Sequence, residues 1–123
     1  MNRKIQIMVV EDHPVNLKLA KDLLEMEGFE VISCVDAESA LECLKTIRPH
    51  MILMDVGLPG MDGLQLTRIL KADEKTRDIK IMAITAFAMK TDKDKAMDAG
   101  CDGYITKPIN TRNFTLQILE LLK

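Results

Sequence analysis

Short strand-like runs and helical patterns alternate five times along this 123-residue chain. Residues 7–10, 51–54 and 81–84 are continuous apolar runs. Such runs are typical of strands that are covered on both faces, as in a parallel sheet. Residues 29–33 and 103–106 mix polar and apolar side chains, which is typical of edge strands. The sequence therefore predicts five strands, three of them central and two at the edges.

Apolar residues at helical spacing fill the intervals between these runs. Pro14 and Gly28 mark the two ends of the first helix, and Asp36 and Asn110 are candidate N-caps of the second and fifth helices. The residues that define the apolar faces of the first, second, third and fifth helices are, in chain order, Leu19, Ala20, Leu23 and Leu24; Ala37, Ala40, Leu41 and Leu44; Leu66, Ile69 and Leu70; and Phe114, Ile118, Leu121 and Leu122.

The fourth helical segment has the weakest pattern. Residues 90–95 contain only Lys, Thr and Asp, which indicates a solvated face. Met89, Ala96 and Met97 are the few apolar side chains nearby that could anchor this helix. We therefore expect the fourth helix to be held less firmly than the other four, and to be the element that responds most readily to a change elsewhere in the domain.

The alternation of strands and helices also limits the topology. A crossover between parallel strands is right-handed almost without exception, and helices then cover both faces of a doubly wound α/β sheet. With the apolar runs in the centre, the five parallel strands take the order 2-1-3-4-5, which is the flavodoxin-like (βα)5 arrangement. Residues 1–123 have the length of a single domain, so we expect no separate output domain.

Composition excludes several classes of protein. The hydrophobic share of 47% and the charged share of 29% are typical of a globular domain. Seventeen basic residues against nineteen acidic ones, with no basic block, argue against direct nucleic-acid binding. No apolar run reaches the roughly 18 residues of a membrane span, and residues 1–5 do not lead into a signal-peptide cleavage site. Cys34, Cys43 and Cys101 lack CxxC spacing, which favours reduced thiols in a cytoplasmic protein.

Acidic residues follow two neighbouring strands of the predicted sheet. Glu11 and Asp12 come after the first strand, and Asp55 ends the third. The gap between these strands is the topological switch point, where α/β sheets bind ligands beyond the carboxyl ends of their strands. Two carboxylates about 5 Å apart repel by roughly 3 kcal/mol at an effective dielectric constant near 20. A hard divalent cation relieves that repulsion, so the three acids predict a Mg²⁺ site; solvated loop residues are the alternative.

Two further polar residues follow the remaining central and edge strands. Thr85 closes the fourth strand, and Lys107 follows the fifth. Both side chains are expected to point into the same crevice as the acids. Pro108 comes directly after Lys107, which makes the bond between them a candidate cis peptide that would fix the direction of the lysine. Taken alone, each residue would be an ordinary turn hydroxyl or surface amine.

The ordered set of these residues resembles the receiver domain of two-component response regulators, the family of the chemotaxis protein CheY. The resemblance covers essentially the whole chain. It includes residues 60–63 and 100–104, which are similar to family signatures, and it rests above all on Glu11-Asp12, Asp55, Thr85-Ala86 and Lys107-Pro108. Residues 85–90 look especially like those of a stand-alone regulator, although receivers of hybrid histidine kinases contain similar stretches. A receiver excised from a larger kinase or multidomain regulator therefore stays open as an alternative.

The resemblance implies a metal site and a phosphoacceptor. Asp55 would accept the phosphoryl group. Asp12 and Asp55 would bind Mg²⁺ directly, the backbone carbonyl of Gly57 would be a third ligand, and Glu11 would act through metal-bound water. In chemical terms Asp55 is a carboxylate nucleophile, and the cation offsets charge on the equatorial phosphoryl oxygens.

The resemblance also implies a switch. Lys107 would pair with the phosphoryl group, Thr85 would bond one of its oxygens, and Tyr104 would rotate inward. Ala86 belongs to this phosphoryl-binding group as a small residue that, like Gly57, leaves the acceptor open. The face of helix four, strand five and helix five would then change its affinity for partners.

The resemblance further implies the kind of partner. A phosphohistidine on a histidine kinase or histidine phosphotransferase would be the donor, since no GxxxxGK[ST] loop is present to hold a nucleotide. A downstream protein would be the target. The chain would act as a monomer or weak dimer. It would not be an enzyme beyond its own phosphorylation and dephosphorylation at Asp55.

Two other functions are weaker alternatives. A Mg²⁺-dependent aspartyl phosphatase of the haloacid-dehalogenase type also uses an Asp nucleophile, but it needs a second Asp two residues on, where this chain has Gly57. A flavodoxin-like cofactor binder needs a phosphate-binding loop after the first strand, where this chain has residues 11–14, Glu-Asp-His-Pro. A steady turnover of p-nitrophenyl phosphate would support the first alternative, and a bound yellow chromophore the second.

Overall fold

The computed structural model describes residues 4–86 and 89–123. Residues 1–3 of the N-terminal segment and residues 87 and 88 of the 85–90 stretch lie outside the described residues. Strands and helices alternate as predicted, with bounds β1 Gln6–Val10, α1 Pro14–Met26, β2 Glu30–Cys34, α2 Ala37–Cys43, β3 Met51–Asp55, α3 Gly63–Ala72, β4 Lys80–Thr85, α4 Lys90–Ala99, β5 Gly103–Thr106 and α5 Thr111–Leu122.

All four strand pairings are parallel, and the strand order is 2-1-3-4-5. This confirms the predicted topology. The register aligns the strand ends, because Val10 pairs with Met54 and Asp55 pairs with Ile84. The residues that follow β1, β3, β4 and β5 therefore come together at one edge of the sheet.

The sheet separates two apolar cores, because successive strand residues point to opposite faces. On one face, Met8 and Ile52 contribute to a core with residues of α2, α3 and α4. On the other face, Ile7 and Leu53 contribute to a core with residues of α1 and α5, including the fully buried Phe114. The continuous apolar runs are thus buried on both faces, as their composition indicated.

The helix starts follow local chemistry. Pro14 occupies the first turn of α1, where a missing N–H costs nothing. Asp36 and Asn110 cap α2 and α5 through their side chains, as predicted. A capping box that was not predicted begins α3: Asp62 and Gln65 each accept a hydrogen bond from the other's backbone N–H.

The helical faces differ from the prediction at a few positions. Leu19 and Ile69 are 37% and 43% exposed, because they lie at the margins of the apolar stripes of α1 and α3. Met89 and Met97 were predicted as anchors of α4, but both are exposed. The buried residues of α4 are Ala96 and Ala99. Two alanines bury little apolar area, which agrees with the expectation that α4 is weakly held. (The prediction of Ala96 as an anchor was correct.)

Candidate functional site

Three carboxylates meet at the switch point between β1 and β3. Glu11 and Asp12 follow β1, and Asp55 is the last residue of β3. Each offers one carboxylate oxygen, and these oxygens lie within 4.8 Å of one another. Glu11 and Asp55 are only 5% and 6% exposed, whereas Asp12 faces solvent. Two partly desolvated charges and a third nearby repel strongly, so the cluster favours a bound cation or proton.

Lys107 places its ammonium group between the two buried acids. Its Nζ lies 3.0 Å from Oε1 of Glu11 and 3.3 Å from Oδ2 of Asp55. Burial lowers the pKa of Lys107, but the hydrogen bond to Glu11 and the charges of both acids outweigh that effect, so its pKa is raised overall. The raised pKa keeps the ammonium group of Lys107 protonated and positively charged. One such charge against three carboxylates leaves the site negative and able to take a divalent cation.

The electrostatics of Glu11 reflect the crowding of the site. Burial is the main cause that raises the pKa of Glu11, and its hydrogen bond with Asp55 adds to the effect. Lys107 and the backbone N–H of His13, which donates to Oε2 of Glu11 at 3.2 Å, oppose it. The net pKa remains raised. Glu11 thus binds a proton more readily than a solvated glutamate, and a cation at the cluster would compete with that proton.

The Asp55 carboxylate is oriented by its own loop. Its Oδ1 accepts a hydrogen bond from the backbone N–H of Gly57 at 3.0 Å. The N–H of Val56 donates to the carbonyl of Ile84 at 2.9 Å, which ties the residue after Asp55 to β4. A Cβ at Gly57 would lie 3.7 Å from Oδ1, which is an ordinary van der Waals contact, so a small side chain would fit at this position without a clash. The sequence pattern predicts a role for the carbonyl of Gly57 but not for its N–H, whose bond to Asp55 depends on the loop conformation.

Backbone contacts fix the other residues at this edge. The N–H of Glu11 donates to the carbonyl of Cys34 at 3.0 Å, so β2 supports the acidic pair. The N–H of Lys107 donates to the carbonyl of Thr85 at 2.7 Å, which joins the ends of β4 and β5. The peptide bond between Lys107 and Pro108 is cis. Nothing in the local sequence identifies Cys34 as a support, because its contact depends on strand pairing.

The residues expected to form the switch lie beside this site. Thr85 is buried at the end of β4, and Ala86 after it is exposed. Tyr104 on β5 is half-buried and contacts the core that faces α4. Burial and the charge of Asp92 raise the pKa of Tyr104, and a hydrogen bond with Thr106 opposes them. Because Tyr104 pairs with Ala83, two residues before Thr85, both side chains lie on one face of the sheet.

The structure therefore gathers most of the predicted residues. The carboxylates of Glu11, Asp12 and Asp55 and the ammonium of Lys107 form one cluster. Tyr104 belongs to the neighbouring α4 side of the sheet and not to the cluster itself. Across the described ranges, none of the helices has both the length and the apolar character that a bilayer crossing requires.

Comparisons with known proteins agree with this geometry. A family model described as the response regulator receiver domain matches residues 7–119. The polar-differentiation response regulator DivK of Brucella anthropi is 44% identical over 116 residues, which are 94% of each chain. A crystal structure of the receiver domain of a sensor histidine kinase from Pseudomonas aeruginosa, with magnesium coordinated in its active-site cleft, is 31% identical, has a TM-score of 0.88 and covers 98% of each chain.

A more distant structure supports the fold alone. The chemotaxis response regulator CheY4 of Vibrio cholerae is 20% identical, with a TM-score of 0.91 over 97% of this chain and 99% of that one. The family model and the match to DivK confirm, across nearly the whole chain, the resemblance seen in the sequence. This protein belongs to the receiver domains of response regulators, the phosphorylation-activated signalling domains of two-component systems.

Proposed function

We propose that Asp55 is the phosphoacceptor of this receiver, and that it takes the phosphoryl group from a phosphohistidine on a histidine kinase or histidine phosphotransferase. The observation that carries this proposal is the contact of the Lys107 ammonium with both Glu11 and Asp55, beside a third carboxylate. A nucleophilic carboxylate, an acidic metal-binding cluster and a fixed positive charge are what phosphoryl transfer to a protein side chain requires.

The donor set suits Mg²⁺. All of the candidate ligands are oxygens, and Mg²⁺ prefers a few carboxylates together with water. Asp12 and Asp55 would bind the ion directly with the carbonyl of Gly57, and Glu11 would act through water. Asp12 is exposed, so the cluster is open on the side from which an ion enters. When bound, the ion would neutralise charge on the phosphoryl oxygens.

The residues around Asp55 would each have a separate role in phosphoryl transfer. The Gly57 N–H donates to one Asp55 oxygen and so holds the orientation of the carboxylate. As an Asp55 oxygen bonds to phosphorus, the P–N bond of the donor breaks and the departing imidazole keeps the electron pair of that bond. Lys107 then exchanges part of its contact with Asp55 for the charged phosphoryl oxygens. Ala86 and Gly57 keep the acceptor accessible to a large donor.

The output step uses the α4 side of the sheet. We infer that the Thr85 hydroxyl moves towards the new phosphoryl group and that Tyr104 occupies the space it leaves. Tyr104 contacts the core that includes Ala96 of α4, and α4 is held by two small side chains, so this helix is placed to respond. The face of α4, β5 and α5 would then bind a downstream protein with altered affinity.

The wider setting is also a proposal. A single receiver that works by itself fits the match to DivK over 94% of each chain, and a receiver within a larger kinase is the alternative, because such a domain matches as well. We place the protein in the cytoplasm as a monomer or weak dimer, with no direct nucleic-acid partner. Its reaction would be limited to gain and loss of the phosphoryl group on Asp55.

The test is phosphorylation by acetyl phosphate, followed by intact-protein mass. The unaltered protein should gain one phosphoryl group with Mg²⁺ present and none after chelation with EDTA. Asp55→Asn should gain none. Asp78→Asn is the matched control, because Asp78 is an exposed aspartate just before β4, at the opposite end of the strands. Equal phosphorylation of Asp55→Asn and the unaltered protein would refute the proposal.

A further inference from the structure

The first residue of α3 lies directly on the backbone of the candidate phosphoacceptor. Gly63 is buried, and its N–H donates to the carbonyl of Val56 at 3.1 Å. Val56 is the residue after Asp55, so α3 starts against the end of β3. The seven residues between β3 and α3, including Gly57, form a loop that this hydrogen bond closes.

The approach is too close for any other residue. A Cβ at Gly63 would lie 2.3 Å from the backbone oxygen of Asp55, 2.9 Å from Cα of Val56 and 3.0 Å from the carbonyl carbon of Asp55. All three are backbone atoms, so no side-chain rotation relieves the clash. Gly63 does not have a positive φ, and its requirement is therefore for space and not for an unusual conformation.

Burial of Leu66 and Leu70 in the core holds α3 against the sheet. Within the helix, the capping box of Asp62 and Gln65 maintains the first turn, and the Thr67 hydroxyl donates to the Gly63 carbonyl at 2.8 Å. A side chain added at Gly63 would therefore push on the end of β3, where Asp55 lies, rather than move α3 alone.

We propose that Gly63 is a positioning residue for the phosphoacceptor, acting through the backbone of Asp55 and Val56. Its close approach sets where Asp55 leaves the sheet, and thereby sets the 3.0 Å hydrogen bond from the Gly57 N–H and the 3.3 Å contact with Lys107. This inference rests on the proposed function, because it assigns the consequence of that placement to phosphorylation. A nucleophile displaced by about 1 Å loses roughly 100-fold in rate.

The experiment compares Gly63→Ala with Leu70→Ala. The second variant removes buried volume from the same helix without touching Asp55, so it controls for loss of stability. Two readouts are taken on folded protein: the ¹⁵N–¹H shift of the Gly57 amide without Mg²⁺, and the rate of phosphorylation by acetyl phosphate. Gly63→Ala should move the Gly57 amide and lower the rate by roughly 10- to 100-fold, while Leu70→Ala leaves both near their original values.

The outcomes separate the two proposals. An unmoved Gly57 amide and an unchanged rate in Gly63→Ala overturn the positioning role and leave the phosphoacceptor intact. A moved amide, together with no phosphorylation of the unaltered protein, supports the placement of the Asp55 backbone by Gly63 but overturns Asp55 as the phosphoacceptor.

A second pair of variants covers the case in which Gly63→Ala does not fold. Thr67→Val loses the hydroxyl that holds the Gly63 carbonyl, and Thr67→Ser keeps it. The Gly57 amide should move in Thr67→Val and return to its original position in Thr67→Ser. The same shift in both variants, or in neither, overturns the inference.

Discussion

At the scale of single residues, the site contains more negative than positive charge. Lys107 is 21% exposed and supplies one ammonium to two carboxylates that are almost fully buried. Removing one partner from such a group leaves uncompensated charge in a poorly solvated place. The same excess of negative charge that destabilises the folded protein without an ion favours the binding of a divalent cation.

We expect Lys107→Met to destabilise the protein at neutral pH without Mg²⁺. Glu11 and Asp55 would lose their shared counter-charge, and the free energy of unfolding should fall by about 1–3 kcal/mol, less than for a fully buried pair because Lys107 is partly solvated. Urea unfolding measures this. Lys18→Met, which breaks only an exposed pair with Asp22, should leave the free energy of unfolding nearly unchanged. Equal effects of the two substitutions would contradict the account.

The raised pKa of Glu11 gives a pH prediction. Because the folded protein binds this proton more tightly than the unfolded chain does, Glu11 favours folding at pH values below its ordinary pKa of 4.5. That contribution is lost as the pH rises through the raised folded value. Glu11→Gln, which stays neutral, should therefore be more stable than the unaltered protein at pH 7 in EDTA, and the difference should shrink as the pH falls towards 4.5. Thermal unfolding across this range is the measurement, and a variant less stable at pH 7 would show the opposite sign.

Some residues of the site could be predicted from the sequence and others could not. Glu11, Asp55 and Lys107 follow strands, and strand ends converge whenever the order of a parallel sheet is known. The close approach of Gly63 to Asp55 could not be predicted, because it depends on the angle at which α3 meets the sheet. The support of Glu11 by the carbonyl of Cys34 depends on strand register, which apolar runs alone do not determine.

At the scale of elements, α4 is the exception among the helices. Its sequence is mostly charged, and its contact with the core depends on Ala96 and Ala99. The sequence predicted its weakness correctly but assigned part of its anchoring to Met89 and Met97, which are exposed. The periodicity of apolar residues does not show how closely a helix packs against its neighbours. Close packing favours small side chains such as alanine.

We expect beryllofluoride with Mg²⁺ to change α4 more than the helices α1 and α3. This phosphoryl mimic should shift amide signals of α4 and β5 as well as those beside Asp55, because Thr85 and Tyr104 lie on the face of the sheet that α4 covers. A ¹⁵N–¹H correlation spectrum measures the shifts, and Asp55→Asn under the same conditions is the control. Shifts confined to the strand ends would exclude the coupling to α4.

At the scale of the whole molecule, the fold places the candidate phosphorylation site next to the side of the sheet that α4 covers. The order 2-1-3-4-5 puts β1 beside β3, so the acids meet at the switch point between them. Thr85 on β4 and Tyr104 on β5 lie on the face of the sheet that α4 covers. This arrangement follows from alternation and hydrophobic pattern, which is why the sequence predicts it. The distances between Lys107 and the two buried acids depend on side-chain packing, which the hydrophobic pattern does not determine.

The most direct test of the account is the position of the phosphoryl group. After reaction with acetyl phosphate and Mg²⁺, borohydride reduces an aspartyl phosphate to homoserine, and peptide mass spectrometry then locates the altered residue. The account predicts homoserine at position 55, with Asp12 and Asp62 unchanged. Homoserine at another aspartate with Asp55 intact, or a stable phosphate on His13 or His50, would contradict the central claim.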